Sequence, residues 1–326
     1  MTELNTFILK MAKVSVIIPV YNASRFIGET IKSVLSQTYK DFEIIVVDDG
    51  STDNSADIVK SFGDKKIILI KQKNKGVSAA RNTGIKASTG KFIALLDHDD
   101  LWLPEKLEKQ IPLLEKNPDV ALVYSDVCYI DARGNPVSWM LKQFEPHRGY
   151  VLKELFITDF VPCLTAVFRK DVIEKIGFFN ERYRYAEEYE LFLRMARFFQ
   201  FDFVDEVLAC YRVHQNNLSR NIIQSYLENI EILEHFYHSV PEVKKFEYVA
   251  RKRIANMYFI TGRRFQVEER NRTQAIKMFR KSLNYNSTSM KSILGLLTAF
   301  FNIPVPRRHR ILKFFTPKNI FDAHEQ

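Results

Sequence analysis

The residues with the clearest chemical potential lie in IALLDHDDLW, from Ile93 to Trp102, where an apolar run meets three aspartates and a histidine. Like charges so close together need a cation, a basic partner or water between them. On an extended segment, Asp97 and Asp99 would point the same way while His98 turns aside. Mg²⁺ commonly combines one or two carboxylates with substrate phosphates. The motif therefore predicts a divalent-metal site, with a turn or capping aspartate as the alternative.

Two other motifs carry polar groups that could serve the same chemistry. VVDDGSTD ends an apolar run with Asp48 and Asp49. It is either a polar turn and helix cap, or a place where Asp49 accepts a hydrogen bond from a nucleobase. GVSAARNTGI carries Arg81, which is either an ordinary surface arginine or a group that holds phosphate or orients the carboxylates.

A third set of candidates lies nearer the middle of the chain. AEEYELFLRMA opens a predicted helix with Glu187, Glu188 and Glu190. Acids are favoured at a helix N-terminus, and the alternative is that one of them is a general base. YRVHQNN contributes Arg212 and His214. A lone histidine is more often structural than a metal ligand, so both interpretations of His214 stay open.

The elements that must position these groups alternate in type. VSVIIPVY, FEIIVVDD, KIILIKQ and KFIALLD are apolar strand patterns, and the segments between them have helical spacing. This repetition predicts a parallel sheet with helices on both faces. Ligands bind beyond the carboxyl ends of the strands in such sheets. Because both acidic motifs follow strand ends, the sequence predicts a site at that edge.

The chain divides by composition. We predict an α/β domain at residues 1–220, with two halves at about 14–120 and 121–220. Residues 221–326 are predicted to be helical. Residues 1–220 hold 30 Lys/Arg and 30 Asp/Glu, whereas residues 221–326 hold 18 and 9, so the net charge of +9 lies in the last third.

The basic C-terminal region predicts a contact with an anionic surface. ILGLLTAFFNI, from Ile293 to Ile303, is too short to cross a membrane but could lie in its interface. Nearby basic residues could meet the lipid headgroups: Arg307, Arg308, Arg310 and Lys313. The alternatives are packing on the catalytic domain or pairing with a second subunit as a homodimer. Nucleic acid is not an expected partner, since only the basic tail would favour it.

Several classes of protein are disfavoured. Cys128, Cys163 and Cys210 form an odd, scattered set without CxxC spacing, which argues against a disulfide framework and a zinc site. The N-terminus has no signal-peptide pattern and no window has the length of a membrane span. We therefore expect a cytoplasmic protein that can lie peripherally on the inner face of the cytoplasmic membrane.

Taken together, five motifs resemble those of family 2 glycosyltransferases of the bacterial type: VSVIIPVYN, IIVVDDGSTD, GVSAARNTGI, ALLDHDDLW and EEYELFLRMA. The resemblance covers Val14 to Ser219. It implies the GT-A fold, a Rossmann-like and mostly parallel sheet flanked by helices, followed here by an α-helical C-terminal extension. It also implies an enzyme that uses a nucleotide-sugar donor and inverts the anomeric centre. Residues 1–220 would then be the catalytic domain, with a nucleotide-sugar half at about 14–120 and an acceptor half at about 121–220.

The resemblance assigns roles on the donor side of the site. The positions that match Pro19, Tyr21 and Asp49 line the nucleoside pocket in the family, and the position that matches Asp97 touches the ribose. We also predict that Arg81 binds the donor, because an arginine in the motif GVSAARNTGI could hold a phosphate. A UDP-sugar is the expected donor.

The resemblance also assigns the metal and the catalytic base. Asp97 and Asp99 match the DxD motif that holds Mn²⁺ or Mg²⁺ on the diphosphate, and His214 matches a histidine that can complete this site. Glu188 matches the base that deprotonates the acceptor hydroxyl. This chain has Glu187-Glu188 where the family usually has Glu-Asp. The longer side chain moves the carboxylate, so which glutamate is the base stays open.

The predicted function is hexosyl or N-acetylhexosaminyl transfer to a glycan or lipid-linked acceptor in the synthesis of cell-surface polysaccharide or lipopolysaccharide. Two other functions compete with it. One is a nucleotidyltransferase. The sequence disfavours it, because no glycine-rich, lysine-bearing phosphate loop lies near the first strand. The other is a binding protein that keeps the fold without turnover, for which the Glu-Glu pair is the only hint.

Overall fold

The computed structural model describes residues 12–138 and 145–303. The described residues form one sheet of nine strands: β1 Val14–Val20, β2 Phe42–Asp48, β3 Ile67–Lys71, β4 Phe92–Leu95, β5 Leu101–Trp102, β6 Val120–Ile130, β7 Pro136–Ser138, β8 Val167–Arg169 and β9 Gln200–Arg212. The α-helices of the described residues are α1 Ile27–Leu35, α2 Ser55–Ser61, α3 Val77–Ala87, α4 Lys106–Lys116, α5 Leu152–Ile157, α6 Val172–Ile176, α7 Glu187–Ala196, α8 Ile222–Ser239, α9 Glu247–Val267, α10 Arg272–Tyr285 and α11 Met290–Phe300.

The N-terminal half is a parallel sheet in the order β3-β2-β1-β4. Every residue of β1, β2 and β4 is buried, as expected for strands with helices on both faces. The motif that contains Asp48 and Asp49 ends β2, and the motif that contains Asp97 follows β4. Since β1 lies between these two strands, the predicted common edge for the acidic motifs is confirmed.

The second half of the sheet is mixed rather than parallel. β8 pairs antiparallel with β4 on one side and with β6 on the other, whereas β6 and β9 pair in parallel over most of their length. β5 pairs antiparallel with β9 and brings the segment after the acidic motif against that strand. The α/β fold with C-terminal helices is confirmed, and the mixed half is an addition that local strand patterns do not contain.

Two glycines show why the acidic edge has its local shape. Gly50 has a φ of 80°, and a Cβ there would lie 2.9 Å from the Asn74 nitrogen, so the turn after Asp49 needs a residue without a side chain. At Gly84 a Cβ would lie 2.6 Å from a methyl carbon of Ile17. This glycine therefore lets α3 approach β1 closely, which fixes the position of Arg81 on that helix.

The cysteines differ from the expectation. Cys128 on β6 and Cys210 on β9 form a disulfide, with their Cα atoms 4.5 Å apart. They are paired residues in the register of these two strands. Because the two cysteines are 82 residues apart along the chain, their spacing in the sequence does not predict this bond. Cys163 is a free cysteine.

The C-terminal helices are tied to the catalytic part through its core. One apolar cluster contains Ile17 of β1, Phe192 of α7, Leu233 of α8 and Ile254 of α9. Within the described residues, no helix has both the length and the apolar character that crossing a bilayer requires. The predicted boundary near Arg220 stays a prediction, and the basic residues that begin at Arg307 lie outside the described residues.

Candidate active site

A large cleft of about 1530 Å³ opens at the carboxyl edge of β1, β2 and β4. Its lining includes the donor-binding, metal and catalytic residues predicted from the sequence: Pro19, Tyr21, Asp49, Arg81, Asp97, Asp99, Glu187, Glu188 and His214. Glu190, the third acid of its motif, is bonded to Arg194 instead. The predicted residues in the lining come from strand ends, from α3, from the start of α7 and from the loop after β9. The fold thus brings distant motifs to one cavity.

Arg81 is the centre of the charge arrangement in this cleft. It is 2% exposed, and its guanidinium donates to Asp97 Oδ1 at 2.7 Å and to Glu187 Oε1 at 2.5 Å. The expectation of an ordinary surface arginine is therefore wrong. Because the planar guanidinium presents several donors in fixed directions, Arg81 can hold both carboxylates in place.

The two glutamates at the start of α7 have different surroundings. Both line the cleft, but Glu187 is 4% exposed and is bonded to Arg81, whereas Glu188 is partly exposed. Burial raises the pKa of both carboxyls, and the Arg81 guanidinium opposes that rise. A carboxylate with a raised pKa and access to the cleft is suited to accept a proton, which favours Glu188 over Glu187.

The acidic motif after β4 is a turn, not the extended segment expected from its sequence. Asp100 N donates to Asp97 O at 3.2 Å, which closes the turn. As a result, Asp97 and Asp99 have different partners. Asp97 is bonded to Arg81, while Asp99 Oδ2 lies 2.7 Å from His214 Nε2. Burial alone would raise the pKa of Asp99, but His98 and His214 lower it.

The motif YRVHQNN pointed to Arg212 and His214 beside Asp99, but the sequence did not identify Asn217. Asn217 Nδ2 donates to Asp99 Oδ2 at 3.4 Å, and Asn217 Oδ1 accepts from the His214 backbone N–H. Arg212 has no exposed surface and donates from Nε to Asp99 O at 2.7 Å and from its backbone N–H to Asp100 Oδ1 at 2.8 Å. Only the polar character of RVHQNN could have pointed to Asn217.

Asp49 organises the loop that follows β3. Its Oδ1 accepts from Gln72 Nε2 at 2.7 Å and from Lys75 N at 2.9 Å, and its Oδ2 accepts from Gly76 N at 2.8 Å. A carboxylate has about four acceptor positions, so Oδ2 keeps capacity for one more donor. Next to this loop, Pro19 O accepts from His98 Nδ1 at 3.2 Å.

The donor atoms suit a divalent metal that is completed by a ligand. No group of three or more His, Cys, Asp and Glu side chains in residues 12–138 and 145–303 is arranged to hold a metal unaided. Asp99 and His214 nevertheless lie side by side, which provides an oxygen and a nitrogen donor. Mg²⁺ typically uses few protein ligands together with substrate phosphates, so this pair fits Mg²⁺ or Mn²⁺. The wider set with Asp97 stays a prediction.

The C-terminal helices form part of the cleft wall. Tyr226 and Asn229 of α8 and Arg253 of α9 line it, together with Asp159 from the loop after α5. Asp159 is exposed to the cleft, yet the loss of bulk water around it and the charge of Glu188 raise its pKa to about 7. No sequence motif marked Asp159 or Arg253, because neither lies in a recognisable pattern.

Solved structures with a similar fold support this architecture. The crystal structure of residues 1–349 of TarS from S. aureus has a TM-score of 0.64 and 19% identity, with 88% of this chain and 90% of that chain covered. The mannosyltransferase PcManGT from Pyrobaculum calidifontis, in complex with GDP-Man and Mn²⁺, has a TM-score of 0.60 and 16% identity, with coverages of 90% and 88%. At these identities, the similarity concerns the fold.

Relatives found by sequence have higher identities to this chain than these solved structures have. An uncharacterized glycosyltransferase of Rickettsia prowazekii is 39% identical over 225 residues, or 65% of this chain and 69% of that protein. The UDP-Glc:alpha-D-GlcNAc-diphosphoundecaprenol beta-1,3-glucosyltransferase WfgD of Escherichia coli is 31% identical over 226 residues, or 68% of this chain and 86% of that protein. The profile described as Glycosyl transferase family 2 matches residues 15–177, half of the chain. The resemblance of the five motifs is thereby confirmed: this chain belongs to glycosyl transferase family 2.

Proposed function

We propose that this chain transfers a hexosyl or N-acetylhexosaminyl group from a nucleoside-diphosphate sugar, a UDP-sugar, to a hydroxyl of a glycan or lipid-linked acceptor. The transfer inverts the anomeric carbon and serves cell-surface polysaccharide or lipopolysaccharide synthesis. The observation that carries the proposal is the position of Glu188 in the same cleft as the Arg81-bonded pair, Asp97 and Glu187. Family membership favours sugar transfer over nucleotidyl transfer.

The donor would occupy the half of the cleft formed by the parallel strands. Pro19, Tyr21 and Asp49 lie at the ends of β1 and β2, where open α/β sheets bind ligands. Asp49 Oδ2 retains capacity to accept from a nucleobase N–H while it holds the loop at Gly76. Asp97 would contact the ribose while Arg81 keeps its carboxylate oriented.

The diphosphate would lie near Asp99 and His214, which we expect to hold the divalent metal with Asp97. When bound, Mg²⁺ or Mn²⁺ supplies Lewis-acid stabilisation of the negative charge on the departing diphosphate. The neighbours of Asp99 hold its carboxylate in place before the donor binds. Asn217 and Arg212 bond to its side chain and to its backbone oxygen, so the carboxylate needs little reorganisation when the donor binds.

Glu188 would act as the general base. It removes the proton from the acceptor hydroxyl as the hydroxyl oxygen bonds to the anomeric carbon. The bond from that carbon to the diphosphate breaks on the opposite face, so one displacement produces inversion. Glu187 would act as a positioning residue, because its bond to Arg81 anchors the first turn of α7 on which Glu188 stands.

The acceptor would enter along the wall formed by α8, α9 and the loop that contains Asp159. Asp159 and Arg253 provide a carboxylate and a guanidinium, which are groups that hydrogen-bond to sugar hydroxyls. This placement gives the C-terminal helices a role in acceptor binding. It also suits our expectation of a cytoplasmic enzyme whose lipid-linked acceptor lies at a membrane.

A panel of nucleotide sugars tests the proposal. We expect one UDP-sugar to release nucleoside diphosphate in the presence of Mn²⁺ or Mg²⁺, and Asp99→Ala to lose this activity. Donor binding, measured by calorimetry, accompanies the release assay. If no nucleotide sugar binds or reacts, the proposed function is wrong. If one binds tightly without release or transfer to any supplied acceptor, a binding protein that lacks turnover is favoured instead.

The pH dependence gives a separate prediction. Glu188 must be ionised to accept a proton, and burial raises its pKa above the ordinary value of 4.5, so turnover should rise with pH through a midpoint above 4.5. Burial and the charge of Glu188 raise the pKa of Asp159 to about 7, so Asp159 is still neutral at the pH where Glu188 ionises. Asp159→Asn should therefore leave the acidic limb of the kcat profile in place, because Glu188 sets its position. A limb that moves in Asp159→Asn would contradict this assignment.

A further inference from the structure

The last described helix, α11, packs with its small residues inward. Ser292, Gly295 and Ala299 are buried. A Cβ on Gly295 would lie 2.7 Å from the ring of Phe279, so α11 lies directly against α10 at this point. The apolar contact of this helix with the protein is therefore made by small side chains together with the partly buried Leu296.

Four large apolar side chains of α11 and its C-terminal end face away from the protein, whereas Ile293 and Leu296 are partly buried. Met290, Leu294, Leu297 and Phe301 are 63%, 56%, 45% and 65% exposed. Their spacing of four, three and four residues places them on one helical face, opposite the buried small residues. We call these four residues the α11 stripe. A contiguous exposed apolar surface of this kind marks an interaction site.

The stretch of sequence that contains the stripe carries charge of one sign. Residues 270–321 contain eleven Lys/Arg and no Asp or Glu. Within the described part, Arg272, Lys277 and Arg280 on α10 and Lys291 on α11 are exposed. A partner for this surface must therefore accept apolar side chains and also carry negative charge.

We propose that the α11 stripe docks on an anionic lipid bilayer, with α11 lying in the plane of the interface. An interfacial helix of this type buries its apolar face at the boundary between headgroups and acyl chains while basic residues contact anionic headgroups. Two other occupants fit less well. Residues 304–321 of the chain and α11 of a second copy would each bring only positive charge to a basic surface.

The docking surface is separate from the cleft. The described residues that line the cleft reach α8 and α9 but include none of α10 or α11. This inference goes beyond the proposed function and does not depend on it, because bilayer binding is measured without sugar transfer. Substitutions in the stripe should leave donor binding unchanged.

Vesicle flotation of the full chain tests the inference. Vesicles of phosphatidylcholine alone are compared with vesicles that also contain phosphatidylglycerol, at low and high salt. We expect flotation with the anionic vesicles and its weakening by salt. The double variant Leu294→Ser and Leu297→Ser should weaken binding by about tenfold or more, because two leucine side chains are no longer buried. Both positions are exposed, so the thermal unfolding midpoint should not change.

Tyr248→Ser is the matched control, because Tyr248 of α9 is 69% exposed and lies outside the stripe. It should bind vesicles as the wild type does. The inference is wrong if the wild type floats with neither vesicle, or if the stripe variant and Tyr248→Ser bind equally. It is also wrong if the stripe variant converts a dimer into a monomer by size-exclusion chromatography without vesicles, because a second copy would then cover the stripe. It is equally wrong if a chain that ends at Ile303 floats and the full chain does not, because residues 304–326 would then cover the stripe.

Discussion

Glu188→Gln should lower kcat by roughly 10²–10⁴-fold, which is the range that a positioned general base contributes. The amide keeps the size of the side chain but cannot accept the acceptor's proton at neutral pH. Donor affinity should change little, since Arg81 holds Asp97, His214 lies beside Asp99, and Glu188 belongs to the acceptor side of the proposed reaction. A steady-state turnover assay measures kcat, and a calorimetric titration measures the affinity for the donor.

Glu187→Gln is the matched comparison for this prediction. Its carboxylate is bonded to Arg81 and is 4% exposed, so its loss should disturb the position of α7 rather than remove the base. We expect a smaller loss of kcat, with the acidic limb of the pH profile retained. If Glu187→Gln abolished turnover and removed that limb while Glu188→Gln stayed active, the two roles would be reversed.

Arg81→Ala should destabilise the protein by about 3–5 kcal/mol, because removal of one partner leaves buried carboxylate charge without compensation. Glu187 would lose the cation that is bonded to Oε1, and Asp97 would lose the guanidinium that orients it. The free energy of unfolding in urea measures this loss. Donor binding should weaken as well, since the Asp97 carboxylate becomes mobile.

Arg182→Ala controls for the loss of an arginine as such. Arg182 pairs with Glu231 at 2.8 Å, but both side chains are well exposed, at 71% and 44%. An exposed ion pair contributes about 0–1 kcal/mol, so this variant should unfold almost like the wild type. Equal destabilisation by the two substitutions would contradict the prediction that buried ion pairs around Arg81 stabilise the protein more than an exposed pair does.

The parallel half of the fold and its acidic edge could be predicted because their signals are local. β1, β2 and β4 are short apolar runs that are buried on both faces, and such runs read directly as strands. The polar residues that follow β2 and β4 then had to lie at one edge. The helical character of residues 221–303 was equally visible in its periodicity and is confirmed.

The connections within the site could not be predicted because they join distant parts of the chain. Arg81 and Glu187 are 106 residues apart, and Asn217 is 118 residues from Asp99. The Cys128–Cys210 bond spans 82 residues. Each depends on the pairing of β6, β8 and β9, which no short window of sequence specifies. The Arg81 motif allowed a contact with the carboxylates that follow β4, but nothing in the sequence indicated its bond to Glu187.

The anomeric configuration of the product tests the central claim most directly. The donor found in the panel is incubated with enzyme in water that contains methanol, and the methyl glycoside is analysed by proton NMR through the coupling of its anomeric hydrogen. Single displacement with Glu188 as the base predicts a product whose anomeric configuration is opposite to that of the donor. A product that retains the donor configuration would contradict the account, since it requires a second displacement or a different mechanism.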